Sequence, residues 1–162
     1  MRAVARQRGE DEELWGVTGL LHDMDYERFP DLETGHPRHA LAELDARDAD
    51  PAIVHAVAAH APYLGVEPAS DMARALLAVD ELSGFVLAVA YVRPEGIHGM
   101  TPKSVKKKLK TPAFAAAVSR EDVARGPALL GTELDDLIRT VVGALEGAAD
   151  ELELHGSAAP AG

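Results

Sequence analysis

The segment that most restricts this chain is DMARALLAVDELSGFVLAVAYV, residues 71–92. It is apolar on nearly every side, and a helix of that kind must be buried in a protein core. Ser70 stands where an N-cap is needed, and Arg93-Pro94-Glu95-Gly96 supplies the stop. Everything else has to pack around it. Strict apolar/polar alternation is absent, and aromatic residues are only 4% of the chain. The core therefore comes from Leu, Ala and Val, a mix that favours helix. The expected fold is all-α: a compact single-domain helical bundle with a long buried central helix.

Local signals place the other helices. Residues 2–8 read as a helix that stops at Gly9, and Asp11 caps a second that runs into His22-Asp23. Residues 26–35, with Pro30, Asp31 and Gly35, read as a loop. Pro37 suits the first turn of a third helix over 37–47, and Asp50-Pro51 opens a fourth that ends near Ala61-Pro62. Residues 97–111 read as a loop followed by the lysine-rich SVKKKLK. Short helices are expected at 112–118 and 120–126, and a last amphipathic helix from Glu133 to Leu152. The main body is residues 1–152. Residues 153–162, small and uncharged from Gly156 onward, read as a disordered tail.

Composition excludes several functions. Lys plus Arg is 16 against 27 for Asp plus Glu, a net charge of −11, which disfavours general binding to nucleic acid or anionic membrane. No apolar run reaches the roughly 20 residues of a membrane span, and no secretory signal opens the chain. There are no cysteines, so disulfides, thiolate metal sites and cysteine nucleophiles are out, in keeping with a cytoplasmic protein. The phosphate-binding, dinucleotide, zinc-protease and serine-hydrolase motifs are absent as well.

What remains is histidine and carboxylate. Five of the seven histidines fall between residues 22 and 60. GLLHD delivers His22 and Asp23 at a helix end, where both reach one ion or simply cap the helix. Asp80 lies inside the most apolar helix, where a carboxylate needs a partner or a cation. The other reading is a partly exposed stripe with Glu81, or a bridge to Arg74. His36 and His39 share a face, and His60 closes the fourth helix; ordinary surface histidines, with His39 and His55 the plainest, are the alternative. Lys103, Lys106, Lys107, Lys108 and Lys110, with Arg93 and Arg120, make a positive patch fit for phosphate or for solvent.

The order of these parts carries more than any one of them. GLLHD, then His36, then His60, then VDELSGF on a helical chain resembles the HD-domain superfamily of metal-dependent phosphohydrolases. LLHDMDYERFPD, HAVAAHAPY, AVDELSGFVLAVAYVRPEG and SVKKKLKTPAFAAAVSRED resemble a bacterial subgroup of small stand-alone HD hydrolases. The resemblance spans residues 1–150. It implies that His22, Asp23 and Asp80 hold a divalent metal (Mn, Fe, Co, Ni, Zn or Mg). It implies that Asp23, His36 and His60 are catalytic, holding a second metal or phosphate, with Asp23 as the bridge. Lys106, Lys107, Lys110 and Arg120 are the candidates for substrate phosphate. Neither a Gly-Tyr-Pro signature nor a His-His pair at 60–61 is present, which disfavours the cyclic-dinucleotide branch.

The family pattern also has a His upstream of the dyad, on the first helix. With the dyad at residue 22 that His would precede Met1, and MRAVARQRG looks like the back half of its helix. Without it the metal site would be weaker, and the missing half-helix would expose an apolar groove for a partner or neighbouring subunit. The expected function is hydrolysis of a small phosphate ester, a nucleotide or phosphorylated metabolite, by metal-activated water. The partners are that substrate and, in a homodimer, a second copy. The alternative is a degenerate HD domain that binds a nucleotide or protein without catalysis. A purely structural bundle would instead leave His22, Asp23 and Asp80 far apart.

Overall fold

The computed structural model describes residues 1–157. Among them the regular structure is entirely helical: α1 (Arg2–Arg8), α2 (Glu12–Leu21), α3 (Arg38–Ala46), α4 (Pro51–Ala59), a 3₁₀ turn (Pro62–Leu64), α5 (Asp71–Tyr91), α6 (Pro102–Leu109), α7 (Arg120–Leu130) and α8 (Leu134–Glu146). The all-α reading holds, and no described helix is long and apolar enough to cross a membrane. Cα proximity divides the chain into two compact units, Met1–Leu77 and Ala78–Gly162, with the boundary inside α5.

In the first unit the caps work as the sequence indicates. Asp11 accepts from the amides of Glu13 and Leu14, which satisfies two of the orphan donors at the start of α2. Asp50 accepts from Ala52 N, Pro51 sits in the first turn of α4, and Ser70 Oγ accepts from Ala73 N to start α5. Gly9 ends α1 in the left-handed conformation. The core is Ala40, Leu44, Ile53 and Val57, flanked by Leu14, Leu21, Leu41, Ala49 and Val54. Burial of the Leu, Ile and Val side chains among them contributes roughly 1.5–3 kcal/mol each. α2 packs on both α1 and α4, and α3 packs on α4, so the C-terminal ends of α2 and α4 are fixed by apolar contact.

In the second unit α8 packs on α6 and α7. The lysine-rich stretch, which the sequence leaves without an assigned element, lies on the helix at residues 102–109. Thr101 and Ser104 form a reciprocal capping box with Pro102 in the first turn, enough to start a helix despite its lysines. Residues 112–118 are turns, not the expected helix. The Arg120 guanidinium takes the carbonyls of Thr111, Phe114, Ala115 and Val118, oxygens that a helix would use internally. α7 runs on through Pro127 to Leu130, and α8 stops at Glu146, before Gly147. Of the expected tail, Glu153–Ser157 are described. Leu154 is buried and its carbonyl accepts from Ile97 N. Residues 158–162 lie outside the described residues.

Candidate metal centre

Two helix ends make the site. α2 and α4 each finish on a histidine, His22 and His60. In both cases the ring Nδ1 reaches back to the carbonyl three residues earlier: His22 to Gly19 O at 2.8 Å, His60 to Val57 O at 2.5 Å. A carbonyl only accepts, so each Nδ1 carries the proton. In the neutral ring Nε2 then keeps its lone pair. The same contact satisfies a carbonyl that the helix leaves unpaired at its last turn. A helix C-terminus is also the negative end of the macrodipole, which favours a cation.

The third imidazole arrives from the loop between α2 and α3. Asp31 Oδ1 accepts from the amides of Glu33 and Thr34 and from the Thr34 hydroxyl, turning the chain back on itself. Gly35 is required there. A Cβ would lie 2.3 Å from Phe29 O and 2.7 Å from Asp31 O. His36 N then donates to Phe29 O, and its ring enters the buried space beside His60 across a cis His36–Pro37 bond. His36 Nδ1 lies 2.7 Å from Oδ1 of Asp25. A carboxylate accepts only, so this Nδ1 is protonated too, and Nε2 faces inward.

The result is a convergence of acceptors. His36 Nε2 and His60 Nε2 are 3.1 Å apart, and Asp23 Oδ1 is 3.4 Å from the first and 3.7 Å from the second. His22 Nε2 is 3.4 Å from the other oxygen of Asp23. His36 and His60 are buried, while Asp23 keeps 49% of its side chain exposed and so opens the cluster to water. Asp23, His36 and His60 form a candidate metal-ligand group. Nitrogen with hard oxygen suits a borderline divalent ion. Burial opposes ionisation of Asp23, but its contacts with His60, His22 and His36 outweigh it and hold the carboxyl below its ordinary range.

His39, His55, Arg74 and the basic residues of the expected phosphate patch have other surroundings. Asp80 is in the second unit, on α5, half-buried between Val79 and Leu82. Arg74 bonds Asp71 and the Ala69 carbonyl. His39 stacks on Phe29 at 3.9 Å, and His55 bonds the Glu67 carbonyl, so neither joins the cluster. Arg120 is corrected as a phosphate ligand: its guanidinium is taken up by main-chain carbonyls and lies over Phe85. Lys106 pairs with Asp135 at 2.6 Å, Lys108 lies over the Phe114 ring, and Lys107 and Lys110 are exposed.

Sequence reasoning missed Asp25. It is buried, and beyond His36 its second oxygen accepts from Ala40 N in the first turn of α3. The only written hint is its place two residues past the dyad in HDMD. Tyr63 was missed as well; its hydroxyl donates to the His36 carbonyl at 2.9 Å.

Comparison with known proteins adds no relative: no family model matches the chain, and neither a curated protein nor a solved structure matches it.

Proposed function

We propose that this chain is a metal-dependent phosphohydrolase of HD type, acting on a small phosphate ester such as a nucleotide or phosphorylated metabolite. One observation carries the reading: two buried imidazoles whose outer protons are fixed elsewhere turn their lone pairs, with a carboxylate oxygen, on one point. Acceptors so arranged repel one another unless a metal cation or a proton lies among them. The donor set fits a divalent ion, and a bound ion of that class polarises a phosphoryl oxygen and lowers the pKa of water.

The residues divide the work. His36 and His60 give neutral nitrogen, and Asp23 gives negative charge at the solvent-facing side, where a phosphate ester can approach. His22, on the other oxygen of Asp23, extends the same set. The HD resemblance supports Asp80 as the carboxylate that joins His22 and Asp23 at a first ion, with Asp23 shared. Lys106, Lys107 and Lys110 stay as candidates for substrate phosphate by their charge, Arg120 no longer.

The test is to load the purified protein with Mn, Co, Ni or Mg and assay generic phosphate esters and a nucleotide panel, with Asp23→Ala as the control. The expected result is metal-dependent turnover that falls at least ~100-fold in the variant. Turnover unchanged by Asp23→Ala would end the proposal. Stoichiometric metal with no turnover on any ester would favour a binding domain without catalysis.

A further inference from the structure

Asp25 belongs to no part of the ligand set, yet it is the buried group that decides which nitrogen of His36 faces it. Its two oxygens have different duties. Oδ2 accepts from Ala40 N at 2.8 Å, tying the carboxylate to the start of α3. Oδ1 sits 2.7 Å from His36 Nδ1, and both side chains are nearly sealed from water, at 5% and 6% exposure. We propose that Asp25 is a positioning residue that sets the tautomer of His36, keeping Nδ1 protonated and Nε2 open toward His60 and Asp23.

The argument turns on what His36 would otherwise do. His60 has its own proton committed to Val57 O, so its Nε2 accepts. At 3.1 Å, His36 Nε2–H would make a good hydrogen bond to it. That alternative satisfies both rings internally and closes the site with a proton. In the neutral ring Asp25 excludes it, because a carboxylate offers no hydrogen and His36 Nδ1 must take the single proton. An imidazole held by a carboxylate through its outer nitrogen is a stronger and better-aimed ligand. The metal consequence rests on the proposed function; the tautomer does not.

Asp25→Asn tests this with nearly the same shape. Ala40 N needs an acceptor, so the amide oxygen turns to it and the NH₂ faces His36 Nδ1. That nitrogen must now accept, and the proton moves to Nε2. The variant keeps both Asp25 contacts in number, so circular dichroism and the melting curve check that it stays folded.

Long-range ¹H–¹⁵N correlation spectra of the metal-free proteins near pH 8 should show His36 protonated at Nδ1 in the wild type and at Nε2 in Asp25→Asn. Calorimetric titration with Zn or Mn should give a ~10–100-fold weaker affinity in the variant. A wild-type His36 protonated at Nε2, or a variant that keeps the Nδ1 form, overturns the inference. Were the tautomer to switch while the wild type binds neither metal, the inference stands and the phosphohydrolase reading falls. Equal metal affinity in both proteins despite the switch would also overturn the positioning role.

Discussion

Two pairs of histidines meet in this molecule, one in each unit, and they differ in what surrounds them. His36 and His60 approach at 3.1 Å in a buried place, with Asp23 as a third inward donor. His98 and His155 approach at 2.8 Å, each with about half its side chain exposed. Their outer nitrogens go to Glu146 at 3.3 Å and Asp150 at 2.6 Å. The second pair is a line of four groups, carboxylate, ring, ring, carboxylate. Its outer protons are held by carboxylates, and only the two rings face each other. The first pair has its outer protons held as well, by Asp25 and Val57 O, and adds Asp23 Oδ1 as a third inward acceptor. Nearness of two rings is therefore weak evidence for a metal; a third inward donor and burial carry the distinction.

The largest effect should separate the pairs directly. His60→Ala removes an inward donor and should weaken Zn or Mn binding at least ~100-fold, beyond what loss of an outer-shell partner costs. His155→Ala should leave that affinity within about 3-fold and cost under ~1 kcal/mol of stability, since exposed ion pairs contribute little. Calorimetric titration and thermal melts read both. A tight site that vanishes with His155→Ala but survives His60→Ala would reverse the assignment.

A smaller contrast lies in the glycines that seat each pair. Gly96 has φ +60°, and a Cβ there would fall 1.9 Å from Leu154 O, where the 94–98 loop meets the chain leading to His155. Gly96→Ala should destabilise the protein by ~2–4 kcal/mol, combining left-handed strain with a main-chain clash. Its metal affinity should not change. Gly35→Ala drives against Phe29 O and Asp31 O and displaces the turn that presents His36, so it should lower metal affinity as well as stability. Chemical denaturation with parallel metal titration distinguishes the two. Loss of metal binding in both variants would show that the contrast between the units is wrong.

Much of this was legible in the residues, and the reason is local. Asp11, Asp50-Pro51, Ser70 and Gly9 mark helix ends by chemistry that acts within three or four residues, and α1, α2, α4 and α5 are where those signals put them. His22, Asp23, His36 and His60 could be named because they are the residue types a metal needs, at helix ends. What stayed hidden depends on contacts between segments apart in sequence. Asp25 acquires its role only when the loop returns His36 to it, eleven positions on. His98 and His155 are 57 positions apart and meet through the packing of Leu154. Residues 112–118 lose their helix to one arginine beyond them, which no periodicity records.

The smallest expected effect concerns pH and the turn that carries His36. The Asp31 carboxyl is held below its ordinary range, first by the Thr34 hydroxyl and then by the amides of Thr34 and Glu33, with Arg38 adding a favourable charge. An Asp whose folded value is depressed contributes stability that is present above its unfolded value, about 3.9, and is lost as pH falls through the lower folded value. The turn should therefore keep its order through the whole neutral range and loosen only in acid. Amide spectra from pH 7 down to pH 2 should show Gly35 and His36 shifting together only below about pH 4, and Asp31→Ala should abolish that shared step. A neutral-range transition at Gly35 and His36 that persists in Asp31→Ala would mean that the imidazole cluster, and not the carboxylate of the turn, governs how firmly His36 is held.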